Sequence, residues 1–183
     1  MSPVHRLLFL LTSFRPCRII NGPDQAPYLE RYHLFRLPFG GQVYVHRFVA
    51  SDPGRCLHNH PWNGAFSLIL SGEYEETRMA DAKSDHALLS RRLVAGSFNW
   101  ISGRLFHRID LADNAECWTL FIHGHKAKSW GFLKTRQQYA FHDHREMLQL
   151  SSNPRWWKTA DRPRNCPSMR KPLEPDTGHC IPV

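Results

Sequence analysis

Along the chain, apolar and polar residues alternate in short blocks that turn-forming residues interrupt. Residues 31–37, 42–50, 65–71, 73–79, 86–94, 97–101, 105–111 and 117–123 are rich in Val, Ile, Leu, Phe, Tyr and Trp. Between them stand Pro38-Phe39-Gly40-Gly41, Asp52-Pro53-Gly54, Ser71-Gly72, Ala95-Gly96, Ser102-Gly103 and Asp113-Asn114. Many such strands at even spacing predict an all-β fold, a jelly-roll barrel of two sheets. Helical spacing is confined to residues 4–13 and 143–150, the second resting on Met147, Leu148 and Leu150. The pattern then breaks: residues 151–183 hold six of the 13 prolines and six basic against three acidic residues. The chain thus divides into a β-barrel domain with an N-terminal extension over 1–150 and a basic, proline-rich tail over 151–183. The tail is expected to be extended and anchored by Trp156 and Trp157.

Composition narrows the class. With 183 residues, 42% apolar and 12% aromatic, the chain can bury one core and is not wholly disordered. The apolar run at residues 7–11 is far shorter than the roughly 20 residues of a membrane span and too short for a signal-peptide core. A soluble, cytoplasmic protein with no membrane partner is the expectation. Five cysteines, without a CxxC pair, argue against a disulfide framework or a zinc ribbon and for reduced thiols. The formal charge of +8 is spread over the chain, +5 in 1–150 and +3 in the tail. Such diffuse charge attracts anions loosely and does not select nucleic acid as a partner. No Gly-x-Ser-x-Gly elbow, phosphate-binding loop or dinucleotide fingerprint is present. Glu73 and Glu75 share a strand face by parity, but Glu-rich hairpin strands are usually solvated edges.

The 12 histidines carry a sharper signal. In Cys56-Leu57-His58-Asn59-His60-Pro61-Trp62, an extended backbone points both imidazoles to one side. Neutral imidazole is the commonest protein metal ligand, and two converging rings supply half a coordination sphere. Downstream, the Gly96 turn leads to a strand in which Leu105, His107 and Ile109 share a face. Closing the strands into a small barrel would bring His107 to the first pair. His123/His125 and His142/His144 have the same spacing but no third partner, and read as exposed loop histidines. One of His46 and Arg47 must face the interior, because strand neighbours alternate. An inward Arg47, or Arg104 near His107, would neutralise a substrate anion. The other arrangement has Arg47 in solvent and His46 lining the cavity. Cys56 shares the parity of His58 and reads as a small apolar filler. Tyr44 and Trp100 are pocket walls or core aromatics, and Trp62 packs.

These residues resemble the two motifs of the cupin superfamily. The first runs Gly, five residues, His-x-His, three or four residues, Glu, six residues, Gly. Here Gly54 lies closer than the pattern asks, His58 and His60 match, and Gly72 stands where the closing glycine belongs. The second runs Gly, five residues, Pro-x-Gly, two residues, His, three residues, Asn. Gly96 and His107 match, Ser102 replaces the Pro, Gly103 comes one place early and Leu111 replaces the Asn. The words Pro27-Tyr28-Leu29-Glu30-Arg31, His60-Pro61-Trp62 and Trp130-Gly131-Phe132 are similar to those of small single-domain cupins of bacteria and phages. The likeness covers roughly residues 28–135.

This resemblance implies a cupin-type double-stranded β-helix whose metal is held by His58, His60 and His107. Edge strands of such barrels commonly pair between protomers, which leaves room for a homodimer. The cupin Glu ligand would fall at Gly64 or Ala65, which cannot bind a metal, so the site resembles the three-histidine cupins, such as the thiol dioxygenases. Three neutral ligands leave charge and open positions on the metal for substrate and dioxygen. The implied function is a mononuclear non-haem Fe(II) dioxygenase or hydroxylase acting on a small polar or anionic substrate, with Arg47 or Arg104 neutralising its charge. The same site with Zn, Ni or Mn would serve a non-redox isomerase or hydrolase. A barrel without metal would be a small-ligand-binding module.

Overall fold

The computed structural model describes residues 3–22, 24–53, 56–79, 88–112, 115–135, 139–143, 153 and 155–173. Helix α1 (Pro3–Thr12) is followed by β1 (Cys17–Asn21), β2 (Pro27–Arg36), β3 (Gln42–Phe48), β4 (Leu57–His58), β5 (Gly64–Ser71) and β6 (Glu73–Met79). The chain continues through β7 (Leu89–Val94), β8 (Phe98–Ser102), β9 (Phe106–Asp110), β10 (Cys117–His123), β11 (Gly131–Thr135) and β12 (Tyr139–Asp143). The strands form two six-stranded sheets, in the orders β1-β2-β3-β10-β5-β8 (sheet I) and β12-β11-β4-β9-β6-β7 (sheet II). Their pairings are antiparallel. No helix among the described residues is long and apolar enough to cross a membrane.

All eight strands expected from the alternation are present; of the one expected over 86–94, residues 86 and 87 lie outside the described residues. Four more are not foreshadowed by it. β4 is two residues long, too short to show a period, and β1, β11 and β12 have five residues each. The helix expected over 4–13 is α1. Of the one expected over 143–150, Asp143 closes β12 and the remainder lies outside the described residues.

The two inner faces pack on each other. Leu29, Phe48 and Ile69 of sheet I meet Tyr74, Leu93 and Ile109 of sheet II in one buried cluster. Burying each such side chain contributes about 1.5–3 kcal/mol. Gly72, between β5 and β6, takes φ +78°, and a Cβ there would stand 2.1 Å from the Glu116 carbonyl oxygen. The closing glycine of the first motif is therefore required by a left-handed turn and a close backbone approach.

The outer face of sheet I is covered by α1 and by residues 161–173. Tyr32, Val45 and Trp118 pack there with Leu8, Phe9 and Met169. The Cys17 N–H donates to the Asp161 carbonyl at 2.9 Å, and the Arg164 N–H to that of Ser13 at 3.0 Å. Arg170 donates to the Phe9 carbonyl at 3.0 Å and to Ser13 Oγ at 2.7 Å. Beneath this layer Arg47 is fully buried. Its guanidinium pairs with Glu30 at 3.2 Å, with Glu116, and with the Lys171 carbonyl at 2.6 Å.

Removing one partner of a buried pair strands the other charge, at a cost of about 3–5 kcal/mol. Arg47→Ala should therefore lower stability by about 3 kcal/mol in denaturant unfolding. Arg104→Ala, in an exposed turn, should stay within about 0.5 kcal/mol of wild type. Equal stability of the two variants would contradict this structural role for Arg47.

Candidate metal centre and its cavity

β4 pairs with β9 at one position, His58 opposite His107. Directly opposite residues share a face, and the two imidazole centroids are 4.8 Å apart. His60 comes from the loop after β4, which is fastened at several points. The Asn59 N–H donates to the Gly131 carbonyl at 3.1 Å, and the Gly131 N–H returns a bond to Asn59 Oδ1 at 2.9 Å. The Pro61 carbonyl accepts from Ala127 at 2.8 Å, and the Gly103 N–H donates to the Asn63 carbonyl at 2.9 Å. A Cβ on Gly103 would lie 2.0 Å from the Trp62 carbonyl oxygen, so the early glycine of the second motif serves this loop contact.

The result is a convergence of three rings. One ligand nitrogen from each of His58, His60 and His107 lies within 4.8 Å of the others. Nε2 of His60 and Nε2 of His107 are 2.8 Å apart. Two imidazole nitrogens bound side by side to one divalent ion at about 2.1 Å would stand about 3 Å apart, so the donor set fits a shared metal. Burial, and then the charge of His107, holds His58 well below the usual histidine pKa; His60 is lowered by the same causes. Neutral imidazole is the form a metal requires.

Two buried carboxylates stand behind the histidines. Glu76 Oε1 accepts from His107 Nδ1 at 2.6 Å. A carboxylate can only accept, so a proton sits on Nδ1, and Nε2 is the nitrogen that faces His60. Glu76 Oε2 accepts from Arg78 at 2.8 Å, from Arg91 at 2.9 Å and from Asn99 at 3.2 Å. Burial alone would raise the Glu76 pKa, but the His107 hydrogen bond and charge, with Arg78, outweigh it and hold the carboxyl at about 2. Asp52 Oδ2 lies 3.6 Å from His58 Nδ1 and accepts the Ile109 N–H at 2.7 Å. Burial pushes Asp52 up to about 6.

The cluster opens into a cavity of about 1020 Å³ between the sheets. On sheet I its wall is organised in rows, because register places Arg31, His46 and Thr119 side by side across β2, β3 and β10. The next row is His33, Tyr44 and Phe121. Arg31 Nε donates to His46 Nε2 at 3.0 Å, while Thr119 Oγ1 is buried without a hydrogen-bond partner. Arginines 18, 31 and 36 line the cavity, and none of them is ion-paired to a carboxylate among the described residues.

The structure brings together His58, His60 and His107, and it brings neither Arg47 nor Arg104 to the cavity. His46 takes the inward place on β3, which turns Arg47 to the opposite face and its two carboxylates. Arg104 is exposed in the turn before β9. Tyr44, Trp62 and Cys56 line the cavity, whereas Trp100 is 63% exposed and lies outside it. His123 is buried and stacked on Trp62 at 4.0 Å, while its expected partner His125 is exposed. His144 lies outside the described residues. Glu76 and Arg31 escaped sequence reading. Their one sequence signal is parity: Glu76 shares a face with Tyr74, and Arg31 with Leu29.

No protein-family model matches this chain, and no curated protein matches it. Solved structures do. Fe(II)-bound HppE is 17% identical with a TM-score of 0.47, over 61% of this chain and 57% of that one. Streptomyces albus HEPD with 2-hydroxyethylphosphonate and Fe(II) is 13% identical with a TM-score of 0.49, over 62% of this chain and 25% of that one. An oxalate decarboxylase is 18% identical with a TM-score of 0.45, over 62% and 30%. The match thus spans little more than half of the first of these proteins, or less. What the pocket can do follows from its own residues.

If Glu76 fixes the metal-binding tautomer of His107, Glu76→Gln should weaken divalent-metal affinity by about 10–100-fold, since outer partners of ligating histidines have effects of this size. Chelator competition on folded protein measures it. Undiminished affinity would show that Glu76 only ties the strands together.

Proposed function

We propose that the protein is a mononuclear non-haem metal enzyme, holding Fe(II) on His58, His60 and His107 and acting as a dioxygenase or hydroxylase on a small organic anion. One observation supports this above others: three imidazole nitrogens converge within 4.8 Å of one another on a cavity whose charged lining, among the described residues, is cationic except for Asp52. Three uncharged ligands leave the ion its full positive charge and open positions, which suits a chelating anion and dioxygen.

The protein's own groups have separable tasks in this reading. Glu76 holds the Nδ1 side of His107, which orients that ring toward the ion, and Asp52 stands 3.6 Å from His58 Nδ1. Arg31 receives the anionic group of the substrate. Its Nε is committed to His46, which fixes the plane of the guanidinium and leaves the η amino groups for a bidentate contact. Arg31 lines the same cavity as His58, His60 and His107, which supports an anion site close to the metal ligands. Thr119, in the same cross-strand row, has a buried hydroxyl to donate to a substrate oxygen. Phe48 and Phe121 bound this polar row and exclude water from it.

Protein purified anaerobically with Fe(II) should retain one iron per chain, and His60→Ala should lose it while remaining folded. Oxygen uptake should follow when small carboxylic and hydroxy acids are screened on the loaded wild type. Unchanged iron content in His60→Ala would overturn the site. Turnover supported by Zn(II) or Mn(II) without oxygen uptake would replace the redox reading with isomerisation or hydrolysis.

A further inference from the structure

The cavity is larger than a two- or three-carbon acid needs, since about 300–1,000 Å³ is the range that encloses drug-sized ligands. Beside the polar row its lining is aromatic. Tyr44 and Phe121 sit in one buried cluster, and Trp62 and Trp156 are packed against it with part of each ring still accessible. The Trp156 ring runs nearly parallel to Tyr44, 16° apart in plane with centroids separated by 6.3 Å. Trp62 is itself backed by His123, 4.0 Å away and 15° from parallel. These flat surfaces line the same cavity as Arg31.

Trp156 does not come from the sheets. It belongs to the short 3-10 turn Trp156–Lys158, in the segment whose later residues are fastened over the outer face of sheet I. The neighbouring Trp157 stacks on His33 at 4.7 Å and 10°, and Arg36 stands 5.8 Å over its ring. The fastening at Asp161, Arg164 and Arg170 therefore fixes where Trp156 can stand, and residues 155–173 complete a wall that the strands leave unfinished.

We infer that the substrate of this site is an organic anion with a flat, unsaturated body, its charged group on Arg31 and its body against Trp62, Tyr44 and Trp156, and that Trp156 is a specificity-determining residue supplied by the tail. This rests on the anion-binding part of the proposed function and adds the shape of the ligand. A charged group next to a planar body matches the polar row lying beside the aromatic row. Stacking on an aromatic side chain contributes about 1–3 kcal/mol per planar group and tolerates variation in the ring itself.

The test is calorimetric titration of the full chain, as purified and again after chelator treatment, with 2-naphthoate, butyrate and the uncharged 2-naphthamide. Wild type should bind 2-naphthoate at least about tenfold more tightly than either of the others. Trp156→Ala should weaken 2-naphthoate by about tenfold and leave butyrate within about twofold, and Trp156→Phe should restore most of the loss. Arg31→Gln should weaken both acids. Equal affinity for the two acids, or equal weakening of both by Trp156→Ala, would overturn the inference and leave Trp156 a structural residue. Failure of both acids to bind a chain that still takes up metal would overturn this inference together with the anion site and leave the metal site standing. Naphthoate binding by a chain that takes up no metal would uphold this inference and overturn the metal enzyme.

Discussion

The hydrogen bond between Glu76 and His107 is the constraint around which the site is built. It joins a carboxylate with no solvent exposure to an imidazole that is nearly as buried. A carboxylate in such a place is tolerable only with its lone pairs satisfied, and here Arg78, Arg91 and Asn99 complete the set. Asn99 comes from β8 in sheet I, whereas Glu76, Arg78 and Arg91 lie on β6 and β7 in sheet II. The cluster that orients a ligand histidine thus also clamps the two sheets together where the chain crosses between them. Fold and site share one polar network, so a change at Glu76 reaches both.

Strand parity divides the remaining charge. Arg31 and Glu30 are neighbours on β2, as are His46 and Arg47 on β3, and the two pairs lie opposite each other. One face receives Arg31 with His46, the other Glu30 with Arg47. On the outer face the cation is neutralised by Glu30 and Glu116 and sealed by the tail. On the inner face the cation bonds an imidazole and lies over the Tyr44 ring, with no carboxylate paired to it among the described residues, and it keeps its charge for whatever enters. The buried Arg47 and the half-buried Arg31 thereby serve opposite ends, one closing the structure and one equipping the cavity.

Much of this was legible in the sequence. Eight strands announced themselves through alternation, and His58, His60 and His107 through spacing, because both signals are local. Gly72 and Gly103 were visible as motif members, although their reasons, a left-handed turn and a carbonyl 2.0 Å from any Cβ, are properties of the folded backbone. The charged residues were harder. Choosing between His46 and Arg47 needs the register of three strands and the knowledge that the tail covers one side. Glu76 lies one position from the Glu73/Glu75 face that parity marked as solvated, and only its diagonal relation to His107 across β6 and β9 shows its use. The tail offered Trp156 and Trp157 as anchors by composition alone. That one of them also walls the cavity depends on long-range packing that no local pattern encodes.

The central claim is that His58, His60 and His107 together hold one metal ion. X-ray absorption at the iron edge of the anaerobically loaded protein tests it most directly, because imidazole rings leave a recognisable multiple-scattering signature. The account predicts about three imidazole nitrogens at about 2.1 Å, with no sulfur neighbour at about 2.3 Å. A spectrum showing one imidazole or none, or a thiolate from Cys56, would contradict it.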